Sequence, residues 1–265
     1  MNKKNEINKS IIKTYKKEIW KKTIKAIDEY SLIKPNDKIG VCISGGKDSF
    51  LLALVLKEIA RHHKLKFDLE YIVMDPGYNK ETLDQIKTNA KKLELNIHIF
   101  QSHIFKDVVN EEKPCYLCAR KRRGHLYNKA RELGCNKIAL GHHFDDVIET
   151  IMLNIMYSGN YGSMLPKLKA DHYPGMELIR PLYFVKENDI KRWAEYNNLI
   201  FSGCGCKVAE KKTDSKRQEI KELISKLKEV YPDVDKNIFK SSENVNINTI
   251  LGYQDKEKHS FLDNY

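Results

Sequence analysis

Three clusters in this chain carry groups able to do chemistry. The first is Ser44-Gly45-Gly46-Lys47-Asp48-Ser49, the second Cys115-Tyr116-Leu117-Cys118 followed by Arg120, Lys121, Arg122 and Arg123, and the third Gly141-His142-His143-Phe144-Asp145-Asp146. A glycine pair before a helix lets an anion approach free backbone N–H groups at the positive end of the helix dipole, so the first cluster reads as a phosphate loop. It is not a Walker A loop, because Val41 stands where that pattern has its first Gly and Asp48 where it has Ser or Thr. Carboxylates beside such a loop suit Mg²⁺, which takes one or two protein carboxylates plus phosphate oxygens, so Asp48 with Asp145 or Asp146 is the expected magnesium site. A bland alternative makes Asp145 or Asp146 a helix N-cap and His142 or His143 a loop histidine. A Cys-x-x-Cys at a helix start, beside a basic run, favours thiolate. Structural zinc, a redox dithiol, an iron–sulfur site and no site at all remain open for Cys115 and Cys118. A second cysteine cluster, Cys204-Gly205-Cys206, offers further thiolates, whereas Cys42 in a strand and Cys135 in a loop read as core residues.

The elements that must position these groups are legible in the hydrophobic pattern. Ile39 to Ile43 reads as a buried strand and Phe50 to Leu56 as a helix, so the glycines lie in a strand-to-helix turn. Asp68 to Met74 and Leu95 to Phe100 read as strands, with a helix over 80–93 between them. Lys137 to Leu140 is a further strand that ends at Gly141. Alternating strands and helices predict a parallel sheet, whose ligands sit at the carboxyl ends of the strands. Met74-Asp75-Pro76-Gly77 is then a lip for a nucleotide. Ile7, Ile11, Tyr15, Ile19 and Ile27 recur near helical spacing among lysines, which predicts an amphipathic basic helix ahead of the core, either packed or lying along nucleic acid. A helix over 215–230, capped by Asp214, carries Ile220, Leu223, Ile224 and Leu227 as its apolar stripe.

Composition narrows the class. The chain has 265 residues with 41% apolar, enough for a packed α/β core. A formal charge of +11 suggests a polyanionic partner. No apolar run nears the ~20 residues that span a bilayer, and no apolar signal region follows the lysine-rich start, so a cytoplasmic location is expected. Six cysteines in such a chain point to metal or redox chemistry before disulfides.

Ser-Gly-Gly-Lys-Asp-Ser resembles the PP-loop of the ATP pyrophosphatases, which cleave ATP between the α and β phosphates and adenylate a substrate. Together with Cys115-x-x-Cys118, the Gly141 to Asp146 block with Glu149-Thr150, Leu165-Pro166-Lys167-Leu168 and Ile179-Arg180-Pro181-Leu182, it is similar to the tRNA 2-thiocytidine synthetase family over roughly residues 30 to 220. The resemblance implies an α/β fold, a parallel-sheet PP-loop (adenine nucleotide α hydrolase-like) domain at 34–200. A basic helical arm over 1–33 and a third-cysteine segment with a helical extension over 201–265 flank it. The expected ATP contacts are Ser44, Gly45, Gly46, Lys47, Asp48, Ser49, Gly141 and His142, with Met74 added from the strand-end lip; Lys47, Asp48, Asp145 and Asp146 are expected in catalysis and Mg²⁺ on Asp48 and Asp145.

The family adenylates the 2-carbonyl of a cytidine in the tRNA anticodon loop and replaces its oxygen with sulfur. A [4Fe–4S] cluster is held there by residues matching Cys115, Cys118 and one later cysteine. The chain departs from the family at that third position: it has Cys204-x-Cys206 where a second Cys-x-x-Cys is usual. Counting back from Arg217-Gln218 places Cys206 on the first family cysteine and Ala209 on the second, so Cys206 is the expected ligand and Cys204 its alternative. Arg120, Lys121, Arg122 and Arg123 are the expected tRNA contacts. A homodimer and a sulfur donor, a cysteine desulfurase or free sulfide, complete the expected partners. Rival readings are 2-thiouridine synthesis by a related PP-loop enzyme, a lysidine-synthetase-like enzyme, which has no need of the cysteines, and a zinc-stabilised RNA-binding module, which has no need of Asp48 and Asp145.

Overall fold

The structure, a computed structural model, describes residues 3–62, 65–102, 104, 114–201, 214–254 and 258–260. Its centre is a six-stranded sheet in the order β3-β2-β1-β4-β6-β5, made of β1 (Lys38–Ile43), β2 (Asp68–Asp75), β3 (Ile97–Gln101), β4 (Lys137–Ala139), β5 (Lys167–Lys169) and β6 (Glu177–Ile179). All neighbours pair parallel except β5, which runs antiparallel to β6. The expected parallel sheet is present. From Ile39 to Ile43 every residue of β1 is buried, which is why its sequence is a continuous apolar run and not an alternation.

Helix α3 (Lys47–His62) leaves β1 through the phosphate loop and is buried from Ser49 to Leu56. Helices α4 (Lys80–Lys92), α5 (Pro114–Glu132), α6 (Phe144–Ser158) and α7 (Glu187–Tyr196) follow β2, β3, β4 and β6 respectively. The chain turns from β1 to one side for β2 and β3 and to the other for β4 and β6. The switch point, where open α/β sheets bind ligands, therefore lies between β1 and β4.

The N-terminal stretch is broken into α1 (Lys3–Ile12), a π-turn (Lys16–Trp20) and α2 (Lys21–Glu29), where the sequence pattern predicted one helix. Ile11 and Ile19 are eight residues apart, which overshoots two α-turns by about 80°; the wide turn brings both into the core, where each is fully buried. Tyr15 Oη donates to Arg192 O at 2.9 Å and Trp193 Nε1 to Ser10 Oγ at 3.1 Å. These helices share the main core with β1 and α3, which supports packing as the role of the apolar stripe. Lys16, Lys17, Lys21 and Lys25 face solvent.

At the other end, α8 (Asp214–Val230) buries Ile220 and Ile224 in that same core. Helix α9 (Val234–Ser241), in a region without a clear sequence pattern, is held by Phe239, whose ring stacks on Phe144 at 4.9 Å. A short hairpin of β7 (Gly252–Gln254) and β8 (Lys258–Ser260) follows. Among the described residues no helix is long and apolar enough to cross a membrane.

Candidate active site at the carboxyl edge of the sheet

The loop after β1 is pre-shaped. Gly45 has φ +94°, a region that L side chains rarely adopt, and a Cβ there would meet Ile86 at 2.9 Å. Ser44 N–H donates to Ser49 Oγ at 3.1 Å, and that hydroxyl donates to Gly46 O at 2.9 Å, closing the loop on the first turn of α3. Ser49 is buried, so its part is to fold the loop. The N–H groups at the glycine turn and the start of α3 are the donors such a loop can offer an anion.

The loop after β4 presses against it. A Cβ on Gly141 would lie 3.0 Å from Ser49 N, 3.1 Å from Asp48 C and 3.2 Å from Asp48 O, so only glycine lets these two backbones meet. This contact brings the first and third clusters together. The buried His143 ring lies between carboxylates, 3.8 Å from Asp48 Oδ1, 3.8 Å from Asp145 Oδ2 and 3.5 Å from Asp146 Oδ2. Asp146 fixes the start of α6 by accepting from His143 N–H at 3.0 Å. Burial alone would raise the Asp146 carboxyl, but His143, His142 and Arg217 outweigh it and hold it below its ordinary range. Burial, opposed by Asp146 and reinforced by Arg180, pushes His142 down to about 4. Arg180 Nε donates to His142 Nδ1 at 3.3 Å, which places the remaining imidazole proton on Nε2.

Residues that the sequence pattern did not single out complete the site. Glu187, at the start of α7, accepts from Lys47 Nζ at 3.1 Å and Lys221 Nζ at 2.6 Å, and its backbone N–H donates to Asp145 Oδ2 at 2.7 Å. Burial opposes its ionisation, but the bonds from Lys221 and Lys47 prevail and hold it at about 2. Burial would lower Lys47; Asp48 and Glu187 outweigh that and raise it, so the ammonium stays charged. Arg217 of α8 pairs with Asp146 Oδ1 at 3.2 Å and Glu149 Oε2 at 3.5 Å. A cavity of about 420 Å³ opens beside this group, lined by Asp145, Glu149, Lys221 and Lys228.

Other expected residues are placed differently. Met74 is buried at the end of β2 with Ile104, so the lip that reaches solvent is Gly77, with Tyr78 half-buried beside it. Tyr78 Oη donates to Ser44 O at 3.2 Å and accepts from Arg122 Nη2 at 3.1 Å, joining α5 to the phosphate loop. Positions 115 and 118 fall in the first two turns of α5, but the side chains of Cys115, Cys118 and Arg120, and all of Cys204 and Cys206, lie outside the described residues. Among the described residues no group of three or more His, Cys, Asp or Glu is placed to hold a metal. Asp48 nevertheless fits Mg²⁺ with phosphate, since its Oδ1 is buried and accepts no hydrogen bond. Cys42 and Cys135 are free, buried core residues as expected; burial pushes both thiols up, Cys135 to about 11.

Residues 12–203 match the PP-loop domain family. The tRNA-cytidine(32) 2-sulfurtransferase of Syntrophotalea carbinolica is 37% identical over 233 residues, covering 86% of this chain and 89% of that protein. The enzyme of the same name from Alkalilimnicola ehrlichii is 35% identical over 258 residues, covering 95% of this chain and 79% of its own. The U34-tRNA thiolase NcsA from Methanococcus maripaludis, solved with its [4Fe–4S] cluster, aligns with a TM-score of 0.67 at 24% identity, over 84% of this chain and 76% of that one. That last likeness bears on the fold. With the phosphate loop, the Gly141 contact and these relatives together, the chain belongs to the PP-loop domain family and, within it, to the tRNA-cytidine(32) 2-sulfurtransferase family.

Proposed function

We propose that the chain thiolates tRNA at the expense of ATP, adenylating the 2-carbonyl of a cytidine in the anticodon loop and replacing its oxygen with sulfur. The observation that carries this reading is the contact of Gly141 with the Asp48–Ser49 backbone, which makes one site of a pyrophosphate loop and an acid–histidine block. The loop N–H groups and the N-terminus of α3 hold the β and γ phosphates. Lys47 neutralises the charge that develops on the pyrophosphate as the base oxygen attacks the α phosphorus. Pyrophosphate leaves, and sulfur then displaces the adenylated oxygen as AMP. Activation is needed because an oxo group on a pyrimidine is a poor leaving group.

Asp48 and Asp145 would hold Mg²⁺, which would supply charge neutralisation at the phosphates. His142, uncharged above about pH 4, adds no positive charge of its own beside Arg180. The thiol set Cys115, Cys118 and Cys206 suits a [4Fe–4S] cluster by donor chemistry, with Cys204 as the alternative third ligand; such a cluster supplies the handling of sulfur. Arg120 to Arg123 serve the tRNA phosphates. The setting is a cytoplasmic homodimer fed by a cysteine desulfurase or by sulfide.

Nucleoside mass spectrometry on tRNA from cells with and without the protein tests the reading. Loss of 2-thiocytidine upholds it. Loss of a thiouridine alone moves the chain to the thiouridine enzymes, and an unchanged thionucleoside profile refutes it.

A further inference from the structure

A second cavity, of about 680 Å³, lies outside the site just described, between α5 and the β5–β6 hairpin. Its lining includes Lys121, Arg123 and Tyr127 from α5 and Lys169, His172 and Tyr173 from the hairpin, with Asp171 its one carboxylate among the described residues. The walls are firmly built. Tyr127 is buried and stacks on the half-buried Tyr173 at 5.0 Å with 23° between the rings. Tyr173 Oη donates to Gly124 O at 3.1 Å, and a Cβ on Gly124 would stand 3.4 Å from that hydroxyl. That hydrogen bond ties the hairpin tip to α5.

The cavity also has a fixed relation to the reaction centre. Lys121 and Arg123 follow the paired cysteines on the same helix. Arg180, which contacts His142, lies at the end of β6 and within electrostatic reach of Arg123 and Tyr127. A pocket combining cations with a fixed aromatic platform suits a nucleotide: phosphate on the cations, base against the ring. A protein partner selected by charge would need no aromatic wall.

On the reading that tRNA is the substrate, we infer that the cavity between α5 and the β5–β6 hairpin seats a nucleotide of the tRNA flanking the one modified. Arg123 and Lys169 hold its phosphate, and Tyr173 with His172 faces its base. The seat fixes the register of the strand, so the base presented at Lys47 and Gly141 is the correct one. Phosphate contacts set that register without reading sequence.

The test uses the full-length chain and unmodified tRNA in anisotropy titrations at several salt concentrations. Arg123→Glu with Lys169→Glu is expected to weaken tRNA binding at least ~10-fold and to lower the salt slope by about one unit for each phosphate no longer neutralised. Lys169→Arg is expected to retain binding. Affinity for a non-hydrolysable ATP analogue checks that each variant is folded. Photo-crosslinking of bound tRNA should label the peptide 168–178. Wild-type tRNA affinity and slope in the doubly reversed variant, with analogue binding intact, overturn the inference. Intact tRNA binding combined with failed sulfur delivery from a protein donor also overturns it, and assigns the cavity to that donor. A wild-type chain that binds no tRNA overturns the proposed function along with the inference, so the two failures are distinguishable.

Discussion

Two glycine-to-alanine substitutions separate the assembly of the site from its occupation. In Gly141→Ala the new methyl would stand 3.0–3.2 Å from three backbone atoms of Asp48 and Ser49, all inside ordinary van der Waals contact. Backbone cannot rotate aside as a side chain can, so the two loops must part by a few tenths of an ångström. Overpacking of this kind costs about 1–3 kcal/mol. Restricting the unfolded chain offsets about 0.4–1 kcal/mol of that. A net loss of roughly 1–2 kcal/mol lowers the melting temperature by about 3–6 °C for a chain of this size. Activity should fall about tenfold or more, because small misplacements of reacting groups are costly. Gly46→Ala is the contrast. Its methyl would meet only Ser44 Oγ at 3.8 Å, so melting should change by less than about 1–2 °C. That methyl nevertheless sits in the loop an anion must approach, and affinity for an ATP analogue should drop at least ~10-fold. Thermal melts and analogue titrations on both variants read the outcome. Wild-type melting of Gly141→Ala would refute the close approach, and wild-type analogue binding by Gly46→Ala would refute the phosphate seat.

Further expectations concern the charges, the bridge and the thiols. Lys47→Ala should cost at least ~10²-fold in rate, and the products of ATP turnover should be AMP and pyrophosphate; ADP and phosphate would sink the assignment. Because the folded Glu187 carboxyl is held at about 2, below its ordinary value of 4.5, its stabilisation is present above that value and is lost as pH falls toward 2. After discounting for its partial exposure, Glu187→Gln should cost about 1–2 kcal/mol near neutral pH. The gap from wild type in urea midpoints should shrink below about pH 4.5; a gap that stays constant with pH would refute the pairing. Tyr78→Phe removes the hydroxyl between Arg122 and Ser44 O, and should raise KM for ATP several-fold with little loss of stability, as steady-state kinetics and melts would show. Serine at Cys115, Cys118 or Cys206 should abolish iron binding in anaerobic preparations, whereas serine at Cys42 or Cys135 should affect stability at most. If Cys204→Ser loses iron and Cys206→Ser keeps it, the third ligand is Cys204.

The parts of the fold that could be read early are those with one dominant local signal. The apolar run into Gly45 and Gly46 specified β1, the loop and α3, because a strand buried on both faces and a helix buried nearly all round leave no other pattern. Phosphate loop and acid–histidine block were legible as types of residue, but their contact was not: the spacing of Gly141 from Ser49 in space depends on β1 pairing with β4, a non-local choice. Glu187 was missed for a related reason. An acidic residue in a first helical turn with a lysine at i+4, here Lys191, is ordinary local chemistry, and only the tertiary arrangement adds Lys47 and Lys221. The strands β5 and β6 are three residues each, too short to show a period, and α9 is identified by the aromatic stack of Phe239 more than by any stripe.

The tail is more closely joined to the chemistry than its sequence indicated. Phe201 packs on Phe50 at 5.5 Å, just inside the helix that starts at the phosphate loop, and Ile200 O accepts from Asn89 Nδ2 at 2.9 Å. On the far side, α8 returns Arg217 to Asp146 and Lys221 to Glu187. The chain thus leaves the described structure beside α3 and re-enters it at the acidic residues of α6 and α7. Cys204 and Cys206 belong to the stretch between those two anchors. The ion pair between Arg217 and Asp146 therefore does more than neutralise a buried carboxylate: it fixes the start of α8 against the acid–histidine block. Releasing that tie by Arg217→Ala leaves Asp146 and Glu149 without their guanidinium partner. Such a variant should lose both analogue affinity and iron retention, whereas Lys228→Ala, on the same helix but paired with Asp235, should lose neither.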